Sequence, residues 1–143
     1  MAAIQAILLA QQVIGCAISV HRELGAGLLE STYARCFRLE LGRQRIRFSN
    51  EVWLPIVYKA TRLDNAYRVD LMVEDKLIVE IKAIEKILPV HVAQLLTYVR
   101  LSGAGQGLLF NFNEARLKDG IKSVILGAGP ASMPSNPSTV EKE

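Results

Sequence analysis

The sequence predicts one α/β domain of the α+β kind, with a central sheet of four to five strands flanked by helices. Three observations carry that reading. Residues 4 to 24 and 28 to 41 place apolar side chains at helical spacing. Five later segments (45–58, 67–73, 77–82, 107–112 and 121–126) are short, apolar or alternating, and read as strands. A third helical pattern begins near Pro89, between the third and fourth of these strands. The chain has 143 residues, enough for one domain with a real core. Half of them are hydrophobic and 22% are charged, which excludes a disordered body.

The first helix carries Ile4, Ile7, Leu8, Ile14, Ala17 and Ile18 as its expected buried stripe. No charge occurs in the first 20 residues, but Gln5, Gln11 and Gln12 interrupt the run and no basic segment precedes it. The expectation is a core helix of a soluble, cytoplasmic protein without a membrane partner. Gly25 and Gly27 end the helix. His21, in its last turn, reads either as a ligand or as a polar helix end. The second helix presents Leu29, Tyr33, Cys36, Phe37 and Leu41 to the core. Glu30 borders that face. It either complements the helix dipole or supplies a carboxylate to a site.

In the first strand the even positions from Ile46 to Tyr58 alternate as apolar, and Pro55 on the other parity suggests an edge or a bulge. Lys59 to Ala66 reads as the connecting turn. Tyr67 to Lys82, YRVDLMVEDKLIVEIK, is then a hairpin with its turn at Glu74, Asp75 and Lys76. The apolar positions are odd in both arms: Tyr67, Val69, Leu71 and Val73, then Leu77, Val79 and Ile81. The two apolar faces coincide only when paired positions sum to an even number. A turn centred on Asp75 meets that condition and puts Asp70 opposite Glu80, and Arg68 opposite Lys82. Opposed carboxylates repel unless a cation lies between them, and hard oxygen ligands suit Mg²⁺ or Mn²⁺. The alternative is a solvated hairpin face with scattered charges.

Leu95, Val99 and Leu101 form the core side of the third helix, and His91, Gln94 and Tyr98 a polar strip. That strip faces either the hairpin or solvent. GLLFNF, residues 107–112, is a buried strand bounded by glycine and asparagine; residues 114–120 are a polar connection with one helical turn. The folded domain is expected over residues 1–126. Residues 127–143, rich in proline and small polar residues, read as a disordered tail.

Net charge is +3, which permits a nucleic-acid partner without requiring one. Arg35 and Arg38 lie on the second helix, and Arg43, Arg45 and Arg47 alternate into the first strand. Such a cluster is either a phosphate-binding patch or a solvated surface. Cys16 and Cys36 fall in apolar helical patterns and read as buried free thiols. There is no nucleotide-binding glycine loop and no helical H-E-x-x-H, which removes support for a small-metabolite enzyme.

An Asp and an E-x-K on a hairpin, within this order of elements, resemble the PD-(D/E)XK nuclease core. Gly27, Glu30 and Tyr33 spell G-x-x-E-x-x-Y in GLLESTY. With YRVDLMVEDKLIVEIKA, PVHVAQLLTYVRLSG, GLLFNFN and LKDGIKSVIL, the chain resembles the GxxExxY family over about residues 8 to 126. The resemblance implies a restriction-endonuclease-like core with a mixed sheet. It implies Asp70, Glu80, Glu30 and the carbonyl of Ile81 as ligands of Mg²⁺ or Mn²⁺, with Lys82 as the active-site lysine. Gln94 and Tyr98 match the Q-x-x-x-Y that follows E-x-K in several nuclease branches, with Gln94 positioning substrate or water. Tyr33, Arg68, His91 and Tyr98 are the expected substrate-binding residues. Val69 stands where the superfamily often has a proline before the aspartate. The function implied is metal-dependent hydrolysis of DNA or RNA; the alternative is a catalytically silent module that binds nucleic acid or a protein. Nucleic acid is the expected partner, and a homodimer or an unidentified protein partner stays open.

Overall fold

Alternation of apolar residues in Leu77–Lys82, with Leu77, Val79 and Ile81 on one side and Ile78 on the other, makes this segment a strand buried on both faces. It is the middle of the sheet. A computed structural model describes residues 2–126, and the expected tail at 127–143 lies outside the described residues. The elements are α1 (Ala2–Leu24), α2 (Glu30–Arg43), β1 (Phe48–Tyr58), β2 (Thr61–Val73), β3 (Leu77–Lys82), α3 (Pro89–Ser102), β4 (Gln106–Asn111), a 3₁₀ turn at Leu117–Gly120 and β5 (Ile121–Ile125). The five strands lie in sequence order. All neighbours are antiparallel except β3 and β4, which are parallel and joined through α3. The sheet is therefore mixed, and the fold is α+β of the restriction-endonuclease-like type.

One face of the sheet packs on α1 and α2. Val13, Ala17 and Val20 of α1 and Tyr33, Phe37 and Leu41 of α2 meet Leu71, Val79, Ile81, Phe110 and Phe112. The other face packs on α3, where Leu95 and Val99 meet Val69, Ile78, Leu109 and Leu54. Gly107 is what lets α3 approach β4 closely. A Cβ there would stand 2.7 Å from Val99 Cγ2 and 2.8 Å from Leu95 Cδ1.

The structure corrects several expectations. Of the stripe expected to bury α1, Ile4, Ile7, Leu8 and Ile18 are exposed; Ala10, Val13, Cys16, Ala17 and Val20 make the contact. Both faces of α1 are apolar, so periodicity did not discriminate between them, and the smaller residues allow the closer approach. Thr61 already belongs to β2, so the expected eight-residue turn is two residues long. Lys59 (φ 47°) and Ala60 (φ 67°) turn the chain between the paired Tyr58 and Thr61. Asp64 and Asn65 resemble a turn in composition and lie within the strand. Arg43 ends α2 and Arg45 lies in the link before β1, so the arginines do not alternate along a strand. Arg47 is paired with Glu74 at 2.9 Å. Pro55 behaves as expected: β1 is an edge strand, and its register shifts between Leu54 and Ile56.

Candidate active site

The hairpin has the expected register as far as Leu71, while the expected pairs Asp70–Glu80 and Arg68–Lys82 lie outside the ladder. Val73 pairs with Leu77, Met72 with Ile78 and Leu71 with Val79. One step further the ladder would pair Asp70 with Glu80, and there the side chains take over. Glu80 Oε2 accepts the N–H of Asp70 at 2.8 Å. Asp70 Oδ2 accepts the N–H of Ile81 at 2.8 Å. Each carboxylate fills a backbone position on the opposite strand, so the strands part at the acids and the acids lie against each other.

A kink on the outer side prepares this opening. Asn50 pairs with Leu71 and Val52 with Val69, and Glu51 between them has φ 54°. Across the kink the faces exchange. Val69 packs towards α3, whereas Leu71, of the same parity, packs towards α1 and α2. Simple alternation in β2 therefore fails at Asp70, as at a bulge that re-aims a side chain.

Burial dominates the electrostatics. Glu80 is only 7% exposed, and its pKa is pushed up from 4.5 to about 8, first by desolvation and then by the charge of Asp70, with Glu30 adding a smaller push. Burial also raises Asp70, opposed by the Ile81 amide and by the charges of Lys82, Arg68 and Arg38. Lys82, half-buried at the end of β3, is thus close enough to act on both acids. Tyr98 stands on the α3 side. Its hydroxyl pKa is raised by burial and then by Glu80, and its ring leans on Tyr67 at 5.6 Å.

Beside the acids, between α2 and the β1–β2 kink, lies a cleft of about 330 Å³. Glu30, Arg35, Arg38, Glu51, Arg68 and Asp70 line it. Glu30 is exposed at the first turn of α2, so the expected third acid stands at the mouth of the site, beyond the Asp70–Glu80 pair. Among the described residues no three His, Cys, Asp or Glu side chains gather closely enough to hold a metal ion. The donor chemistry nevertheless fits a hard divalent cation. Two carboxylates are held together against their mutual repulsion, with a third near enough to be felt.

Other expected site residues have different duties. Tyr33 is fully buried and stacks on Phe112 at 4.7 Å. Its hydroxyl donates to Gly25 O at 2.5 Å and accepts the N–H of Leu28 at 3.1 Å. It cannot touch a substrate; it pins the loop that delivers Glu30, where Gly27 adopts φ 98°. His91 Nδ1 accepts the N–H of Leu88 at 2.8 Å and so caps α3, which accounts for it without a substrate. Gln94 is exposed on α3, one turn before Tyr98. His21 bonds to the carbonyl of Glu114 at 2.7 Å, as a helix-end tie rather than a ligand. Both cysteines are free, and burial raises the Cys16 thiol to about 11.

Asn111 was missed. It is fully buried and pairs with Lys82 in the β3–β4 register. Its Oδ1 accepts the N–H of Ile84 at 3.0 Å, and its Nδ2 donates to Ile84 O at 3.0 Å. This clamp holds the chain just past Lys82. The signal was an amide inside GLLFNF, read there as a strand boundary.

The model of the PD-(D/E)XK nuclease superfamily matches residues 8–124. The chain belongs to that superfamily. Its members generally use divalent metals. The crystal structure of SSO0001 is similar in fold, with a TM-score of 0.53 and 20% identity over 96% of this chain. The chain spans 66% of the length of that one. Among curated proteins none matches the chain.

Proposed function

We propose that the chain is a metal-dependent phosphodiesterase acting on nucleic acid, in the GxxExxY branch of the superfamily. The observation that carries this is the exchange of carboxylates for backbone partners at Asp70 and Glu80, with Lys82 beside both. Burying two repelling acids costs stability, and a cation between them offsets that cost. Asp70, Glu80 and the carbonyl of Ile81 would hold Mg²⁺ or Mn²⁺, with Glu30 completing the set from α2. The ion would polarise the phosphate, acidify a water and stabilise developing negative charge. Lys82 orients that water, offsets phosphate charge and takes part in proton transfer. Gln94 and Tyr98 lie on the α3 side to position substrate.

The test incubates single-stranded, duplex and branched DNA, and RNA, with wild type and Lys82→Ala in Mg²⁺ or Mn²⁺. Cleavage that disappears with Lys82→Ala or with EDTA is the expected result. Calorimetry of Mn²⁺ binding is expected to weaken in Asp70→Asn and Glu80→Gln; equal affinity in all three proteins overturns the metal assignment. One observation favours a second reading, a silent module: Glu30 stands apart from the acid pair. Mn²⁺ binding without cleavage of any substrate would select it.

A further inference from the structure

One residue of the cleft wall, Arg68, also reaches an exposed aromatic ring. Trp53 on β1 pairs across the ladder with Arg68 on β2. The Arg68 guanidinium carbon lies 5.9 Å from the Trp53 ring centroid, within reach of a cation–π contact. Trp53 is 52% exposed, although it is the chain's single tryptophan and its largest apolar side chain. Arg68 also approaches Glu51 at 3.7 Å, and this pair is open to solvent on both sides. Arg68 lies two residues from Asp70 along the same strand, on the strand stretch that borders the cleft. Across the cleft, α2 contributes Arg35 and Arg38 one turn apart.

Cations on both walls, leading from a half-exposed indole to a carboxylate pair, make a track with distinct ends. Arginines recognise phosphate oxygens in any sequence. An exposed indole offers a face on which a base can stack only when that base has left its own stack. A paired base inside a duplex has both faces covered.

We propose that this cleft seats single-stranded nucleic acid, with Arg35, Arg38 and Arg68 on the phosphates and a base stacked on Trp53. The proposal rests on the nuclease reading for its substrate class and adds strandedness and the residues that select it. Arg68 then links the two functions, carrying phosphate while its guanidinium lies near the indole. Stacking tolerates any base, so little sequence preference is expected.

The test uses the full chain in EDTA, where no strand is cut. Tryptophan emission reports Trp53 alone, because the chain has no other tryptophan. Oligothymidylate and oligouridylate are expected to quench that emission saturably, with a duplex of equal length binding at least about tenfold more weakly. Anisotropy of a labelled oligothymidylate then compares variants. Trp53→Ala is expected to weaken binding about tenfold, whereas Trp53→Phe retains most of it. Arg38→Gln is expected to weaken binding to all sequences alike and to lower the salt slope by about one. Unchanged emission at saturation, Trp53→Ala binding like wild type, or a preference for duplex would each overturn the proposal. The nuclease reading fails separately, by absence of metal-dependent cleavage, since these titrations contain neither metal nor turnover.

Discussion

At the scale of the residue, Glu80 concentrates the cost of the site. Its carboxyl is buried beside Asp70 and has a pKa of about 8 instead of 4.5. Below the lower value the acid is protonated in both folded and unfolded chains and contributes no pH dependence. Between the two values the unfolded chain has released a proton that the folded chain retains. Metal-free stability therefore falls as pH rises through this window, by up to about 1.4 kcal/mol per pH unit, and levels off above it. The raised Asp70 acts in the same direction. Urea unfolding in EDTA, repeated across that window, is expected to show the decline in wild type and a much flatter profile in Glu80→Gln. An unchanged profile in the variant would refute the assignment. Tyr33 and Asn111 work at the same scale, as buried polar groups spent on backbone that positions Glu30 and Lys82.

At the scale of the element, the β1–β2 hairpin holds Glu51, Lys59, Ala60 and Asn65 at positive φ. Lys59 and Ala60 both have positive φ, which a two-residue hairpin loop demands and which side chains with a Cβ resist. Replacing Lys59-Ala60 by Asn-Gly keeps the loop and relieves the strain. The expected outcome is a gain of about 1 kcal/mol in unfolding free energy, with metal affinity unchanged because the turn is remote from Asp70 along β2. A loss of stability would show that the loop has another geometry. Glu51 also has positive φ, but its kink helps to open the ladder at Asp70. Relaxing it is predicted to disturb the site, so strain at the turn and strain at the kink have different consequences.

Considered as a whole molecule, the sheet separates two hydrophobic clusters. Leu41 lies in the one beneath α1 and α2, and Ile78 in the one beneath α3. Leu41→Ala is expected to cost about 2–5 kcal/mol and Ile78→Val about 0.5–1.5 kcal/mol. Because the clusters occupy opposite faces, the double variant is expected to add to within about 0.5 kcal/mol in denaturant unfolding. A larger coupling would mean that the sheet transmits strain between its faces. The acids occupy the place where this barrier opens, so both helix layers reach the site: α2 with Glu30 and Arg38, α3 with Tyr98.

The element order, the hairpin and its register were legible in the residues, because the parity of Leu77, Val79 and Ile81 against Leu71 and Val73 admits a narrow set of pairings. That register also brought Asp70 near Glu80, although the two meet through side chain-to-backbone bonds and not as a ladder pair. Which face of α1 is buried was not legible, as apolar residues lie all round that helix and only packing distinguishes Ala10 and Val13 from Ile7 and Leu8. Nor was the role of Tyr33, because a tyrosine in a motif looks the same whether its hydroxyl meets a substrate or the Gly25 carbonyl. The kink at Glu51 and the exchange of faces at Asp70 depend on a backbone conformation that no residue type there announces. Alternation describes one strand at a time. The strand opening, the cleft and the Trp53–Arg68 pair beside it arise where separate strands and a helix meet, and contacts between elements set them.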